Sequence, residues 1–210
     1  MIKNDSLMPS KELSAGALSI LNVAETLFAN KGFSAVSINE VAQASKVSKA
    51  NIFHHFKSKE ALYLAVLRQA CNRSAVALDF TNNEASHDPL EKMRHFFSSH
   101  LNTLLSESLS TQLIQRELME NSEHRGKQLA EEVFADSFSK VQLLVREAQA
   151  HHIVRQSIDP SLLAFLLLGA NVIFFEAHTM LKHLSGVDFA ESPEIYSSTV
   201  FDLLINGFKE

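Results

Sequence analysis

Lys49, Asn51, Phe53, His54 and His55 fall close together in one polar stretch, SINEVAQASKVSKANIFHHFKSK, residues 37–59. An ammonium, an amide and two imidazoles at this spacing suit a polyanion that also presents readable edges. Lysine can donate to the O6 and N7 acceptors of guanine, and asparagine can bond adenine or a phosphate. The Phe53 ring suits a thymine methyl group. His54, His55 and Lys59 fit phosphate contacts, which fix a protein on a duplex without reading its sequence. The chemistry points to double-stranded DNA.

Such side chains need a rigid support, and the same stretch encodes one. Ser37 is an N-cap, with Glu40 three residues later able to reach back and complete a capping box. Ile38, Val41 and Ala42 form one apolar face at helical spacing. This helix ends near Ser45 and Lys46, and Val47 can plug the corner. Ser48 is a second N-cap, opening a helix over residues 49–56. Phasing at about 100° per residue turns Ile52 and Phe56 inward. It turns Ala50, Asn51, His54 and, less centrally, His55 outward, with Lys49 and Phe53 flanking the leading end. In a helix-turn-helix, the first residues of the second helix meet base edges in the major groove. Ser58 caps a further helix, whose first N–H groups could take one more phosphate. The plainer alternative is a pair of surface helices with a solvated polar face.

Residues 14–68 resemble the N-terminal domain of the TetR family of one-component transcriptional regulators. The pieces that carry the resemblance are AETLFANKGF (24–33), SINEVAQASKVSKANIFHHF (37–56) and KSKEALYLAVL (57–67). The resemblance places base contacts on Asn39, Lys49, Ala50 and Phe53. It places phosphate contacts on Ser37, Asn51, His54, His55 and Lys59. Phe53 stands where the family usually has tyrosine, and Asn39 where some members carry a longer basic residue. Both departures bear on which operator is read. The resemblance further implies a two-domain, all-α homodimer. Its C-terminal part would bind a small molecule that releases the protein from a palindromic operator.

Composition agrees with that division. The chain has 210 residues, 46% of them apolar, and a net charge of −5. Residues 1–83 hold nine Lys/Arg against six Asp/Glu, or +3; residues 84–210 hold ten against eighteen, or −8. The basic end carries the helix-turn-helix, an asymmetry expected of a nucleic-acid reader. The single cysteine, Cys71, excludes an internal disulfide framework and fits a reducing cytoplasm. A buried apolar thiol is its expected state, with a redox sensor as the alternative. No targeting segment is expected in residues 15–23. The apolar run at 162–175 is fourteen residues, short of the about 18 or more that a membrane span needs. It reads as a buried or interfacial helix.

The expected order is a flexible arm (1–13), a DNA-binding domain (14–74, helix-turn-helix 37–56) and a ligand-binding and dimerisation domain (84–210). Helix one covers 14–30, burying Ile20, Ala24, Leu27 and Phe28 and ended by Gly32. Helix four runs over 59–80 and is followed by a polar linker at 81–87. Asp88-Pro89, Asp159-Pro160 and Ser192-Pro193 repeat an N-cap followed by proline at the first helical position; Glu91 would complete a box with Asp88. Helices are expected at 89–106, 110–122, 125–151, 160–184 and 193–208, the fourth of these closed by Gly186, giving about nine helices in all.

Ten of the fifteen phenylalanines follow residue 88. Aromatic and aliphatic walls with few polar anchors are what a small-molecule cavity needs. The candidate lining is Phe97, Leu104, Phe134, Phe138 and Phe174, with His100, Gln115, Asn171 and His178 as polar anchors. Ordinary core packing is the competing reading. For the dimer seam, Leu163, Leu167 and Ala170 share a stripe with Phe174, as do Val200, Leu203 and Leu204, with Gly207 allowing close approach.

No glycine-rich phosphate loop, GxSxG or HExxH motif is present, so an enzyme is not expected. Ten histidines invite a metal, but no pair stands four residues apart on one helix face, so neither metal nor cofactor is expected. A rival function from another class is a helical ligand-binding protein whose helix-turn-helix mediates protein contacts.

Overall fold

The computed structural model describes residues 14–76 and 88–208. The expected arm (1–13), the end of helix four and the linker lie outside them. The chain divides into two compact units, with the boundary between Val66 and Leu67.

The first unit holds α1 (Ala15–Lys31), α2 (Ile38–Ala44), α3 (Lys49–His55) and the start of α4 (Lys59–Val76). Serine hydroxyls cap all four: Ser14, Ser37, Ser48 and Ser58 accept from the backbone N–H three residues on, at 3.0–3.2 Å. The reach-back half of the first box is not made. Glu40 instead bonds the Lys31 ammonium at 2.5 Å, which holds its carboxyl below the usual range. Ile20, Leu21, Ala24, Phe28, Val41 and Ile52 are fully buried. Leu27 is only half-buried. The Tyr63 ring of α4 meets Phe28 edge-on and Phe33 at a tilt, centroids 4.9 Å apart in each case.

The corner between α2 and α3 is a Schellman cap. Val47 N–H donates to Ala42 O at 3.0 Å and Lys46 N–H to Gln43 O at 3.3 Å. This closure requires left-handed backbone at the residue after the cap. Lys46 supplies it, at φ 57°, where glycine is usual.

The second unit contains α5 (Pro89–Ser106), α6 (Ser108–Leu129), α7 (Ala135–Ala150), α8 (Pro160–Leu181) and α9 (Pro193–Phe208). All regular elements among the described residues are helical. Two expected boundaries differ. No break falls near residue 123; α6 runs on to Leu129, and one π-helical turn, Ala130–Phe134, joins it to α7. Neither glycine nor proline marks that turn, so nothing local announces it. Helix α8 ends at Leu181 rather than 184, and Gly186 turns the chain only afterwards, at φ 79°.

Asp88 and Asp159 cap α5 and α8 as their sequence implies, accepting from Leu90 N–H at 3.0 Å and Ser161 N–H at 2.6 Å. Glu91 pairs with Arg94 instead of closing a box. Ser192 turns its hydroxyl to Glu194.

The core of this unit lies between α5, α7, α8 and α9, around Met93, Phe97, Val145, Ala148, Leu163, Leu167 and Phe201. The buried Gln149 fastens the turn after α7, donating to Arg155 O and Ile158 O at 3.0 and 2.8 Å. Helix α8 has 22 residues, and an 18-residue window of it has a mean hydropathy of 1.8, long and apolar enough by composition to cross a bilayer. Its Leu163, Ala164, Leu167, Asn171 and Phe174 are nevertheless buried within the unit.

Candidate nucleic-acid interface and ligand cavity

The capped α3 exposes one continuous surface. Lys49, Ala50, Asn51, Phe53 and His54 are exposed, as are Ser37 and Asn39 on the preceding helix. Phe53 keeps 46% of its surface open. Ile52 is fully buried and Phe56 nearly so, which fixes the rotation of the helix. His55 is half-buried. A Cβ on Gly16, at the start of α1, would lie 3.9 Å from its Nε2. His54 meets His55 edge-on at 5.3 Å. The Lys59 ammonium sits 4.3 Å from the centroid of Phe33 and 3.5 Å from Ser34 O. Cation–π attraction thus holds the Lys59 ammonium in place.

The second unit carries a half-open cavity of about 310 Å³. His100, Leu104, Gln115, Phe134 and Phe138 all border it, together with Cys71 and Phe165. Sequence reasoning missed Thr111, Ile114, Ser137, Leu168 and Val172 as lining. Thr111 stands between Ser110 and Gln112, and Ser137 follows Asp136, so nothing local marks either as lining.

Four expected lining residues lie elsewhere. Phe97 is fully buried and packs on Phe201, centroids 5.8 Å apart. On α5 the cavity takes the stripe Phe96, His100, Leu104, and Phe97 lies one helical step away, among the core residues. Phe174 stacks on Tyr196 at 3.9 Å. Tyr196 in turn donates its hydroxyl to Ala170 O at 2.6 Å. His178 packs beside Phe174 with Nε2 buried and unpartnered. Desolvation, then the Lys182 charge, lowers its pKa. Asn171 is buried behind the lining, donating to Phe97 O at 2.8 Å and lying 3.2 Å from His100 Nδ1. Burial pushes the pKa of His100 down to about 4 and that of the Cys71 thiol up to about 12.

Burial divides the residues of the expected dimer stripe. Leu163 and Leu167 are spent in the core of the chain itself, and Ala170, Val200 and Leu204 pack partly against that core. Leu203, 67% exposed, and Gly207 remain outside. The exposed apolar residues of α8 are instead Leu162, Phe165, Ile173 and Met180. A helix apolar on all sides cannot declare its inner face by periodicity.

Among the described residues, no three His, Cys, Asp or Glu gather in a way that could hold a metal.

Comparison with known proteins covers both units. Residues 20–66 match the family model described as bacterial regulatory proteins, tetR family. Residues 86–210 match the model described as tetracyclin repressor-like, C-terminal domain. The HTH-type transcriptional regulator RutR of Escherichia coli K12 is 43% identical over 60 residues, 29% of this chain and 28% of RutR. The alignment thus spans under a third of that relative. The HTH-type transcriptional repressor DhaR of Mycobacterium sp. strain GP1 is 24% identical over 144 residues, 69% of this chain and 72% of DhaR. Among solved structures, the fatty acid degradation regulator FadR from Bacillus halodurans aligns with a TM-score of 0.75 at 21% identity, covering 94% of this chain and 98% of that one.

Proposed function

The chain belongs to the TetR family of bacterial transcriptional regulators, and from that premise we propose that it is a one-component repressor. It leaves a palindromic operator when a small, largely apolar molecule enters its C-terminal cavity. It acts in the cytoplasm, where its DNA lies. The observation that carries this reading is the outward face of α3, on which Lys49, Asn51, Phe53 and His54 are all exposed while Ile52 anchors the opposite side. Lys49, Ala50, Phe53 and Asn39 read bases; Ser37, Asn51, His54, His55 and Lys59 hold phosphates.

Two copies are needed, because a palindrome presents its half-sites about 34–36 Å apart. The exposed apolar side of α8 supports a two-fold seam. It carries Leu162, Phe165, Ile173 and Met180, and an added Cβ on Gly169 would meet nothing. Leu203 and Gly207 of α9 extend the seam. Paired helices from each protomer would make a four-helix bundle. Cavity occupancy changes operator affinity through α4, a single helix whose residues belong to both units. By linkage, the operator must weaken effector binding by the same factor, about 1–3 kcal/mol.

A mobility-shift assay on DNA upstream of the gene tests the reading. Lys49→Ala and His55→Ala should each weaken binding about tenfold, the size of one lost base or phosphate contact. The wild type should show a steep fall in affinity with salt. Unaltered binding in both variants would indicate a helix-turn-helix that meets another protein instead.

A further inference from the structure

The cavity of the second unit has an unusual polar inventory. Among its described lining residues none carries a formal charge; the polar ones are Cys71, His100, Thr111, Gln115 and Ser137. The Thr111 hydroxyl proton is committed to the carbonyls of Leu104 and Glu107, each 3.1 Å away. Burial keeps the Cys71 thiol protonated.

His100 is the decisive group. The residue is 7% exposed, and its ring stacks on Phe96, centroids 5.6 Å apart. Asn171 fixes its tautomer. One nitrogen, Asn171 Nδ2, makes both contacts: it donates to Phe97 O at 2.8 Å and faces His100 Nδ1 at 3.2 Å. A flipped amide would press Oδ1 against the Phe97 carbonyl, so the amide orientation is set. Nδ1 must then accept, and the ring proton resides on Nε2. No protein partner takes that N–H among the described residues. A donor open to an apolar cavity calls for an acceptor from whatever fills the space.

An ionised ligand is disfavoured for the same reason. A carboxylate would find no cation on the described wall, and an ammonium no anion, so either would lose its hydration uncompensated. A carbonyl oxygen answers the Nε2–H and brings no proton of its own to satisfy. An engineered cavity of roughly 150 Å³ holds benzene, so the volume here suits a molecule of about twice that size.

Resting on the reading that this cavity takes the effector, we propose that the effector is uncharged and mostly apolar, and carries a ketone, ester or lactone carbonyl. The carbonyl accepts from His100 Nε2–H, with Asn171 as the positioning residue.

Calorimetric titration of the full chain with four probes on one phenylalkyl skeleton tests this: benzylacetone, phenylbutyrate, phenylbutylamine and butylbenzene. Benzylacetone should bind about fivefold more tightly than butylbenzene, the worth of one neutral hydrogen bond. It should also bind more tightly than either charged probe. In His100→Phe, the benzylacetone advantage should vanish while butylbenzene still binds, which also shows that the cavity has folded. Asn171→Leu, which frees the tautomer, should reduce the advantage with the donor still present. Tighter binding of phenylbutyrate or phenylbutylamine would overturn the proposed class. A benzylacetone preference that survives His100→Phe would overturn the role of His100. Either result leaves the cavity as the effector site. Failure of all four probes to bind would overturn both this inference and the cavity's place in the proposed function.

Discussion

The Arg68 guanidinium of α4 holds Glu132 at two points: Nε donates to its backbone carbonyl at 2.7 Å and Nη2 to its carboxylate at 2.5 Å. Glu132 lies in the π-helical turn Ala130–Phe134, whose last residue borders the cavity. Single π turns are rare and recur at functional sites. Here one connects a cavity wall to a helix that runs on toward α3 in sequence.

Arg68→Ala should therefore uncouple the two activities. The pair is largely exposed, so stability should change by under about 1 kcal/mol. Benzylacetone and operator should each still bind, but the factor by which one weakens the other should fall toward one. Measuring operator affinity with and without saturating probe, in wild type and variant, checks this. An undiminished factor would place the coupling elsewhere.

Lys46 holds a left-handed backbone that costs an L-residue about 1–2 kcal/mol. Lys46→Gly should stabilise the first unit by about 1 kcal/mol, less the extra chain entropy that glycine loses on folding. The urea midpoint should rise with an unchanged slope. A drop in midpoint would mean that the lysine side chain outweighs the strain.

His100 ties stability to pH. Its folded pKa, about 4, lies below the roughly 6.5 of an unfolded histidine. The unfolded state therefore takes up the proton first as the solution is acidified. Stability should be at its plateau above pH 6.5 and decline as pH falls towards 4. The slope approaches about 1.4 kcal/mol per pH unit, for a loss on the order of 3 kcal/mol. Urea titrations of wild type and His100→Phe at several pH values isolate this contribution. The variant should lack that share of the decline; identical pH profiles would refute it.

The seam on α8 predicts a change of assembly. Ile173 is 69% exposed in the single chain and Leu143, on α7, is 64% exposed. Ile173→Lys should give monomers in sedimentation, whereas Leu143→Lys should remain dimeric. A dimeric Ile173→Lys would move the interface off this face.

The DNA-facing unit was legible almost residue by residue, because its signals are local. A serine hydroxyl reaches a backbone N–H three residues away, and burying Ile52 and Phe56 dictates what α3 shows to solvent. Ser37, Ser48 and Ser58 act as their spacing implies. Glu40 did not, because a competitor, Lys31, approaches it from another helix. The cavity was legible only in kind. Phe96 and Phe97 are neighbours of the same type, yet one borders the cavity and the other fills the core. Helix α8 is apolar around its whole circumference, so Leu163 and Ile173 look interchangeable until α5 and α7 cover one of them. Periodicity records that a side chain avoids water. Which neighbour removes it from water, and whether a space is left beside it, depends on contacts between segments far apart in the chain. Such contacts leave no mark in any short stretch of residues.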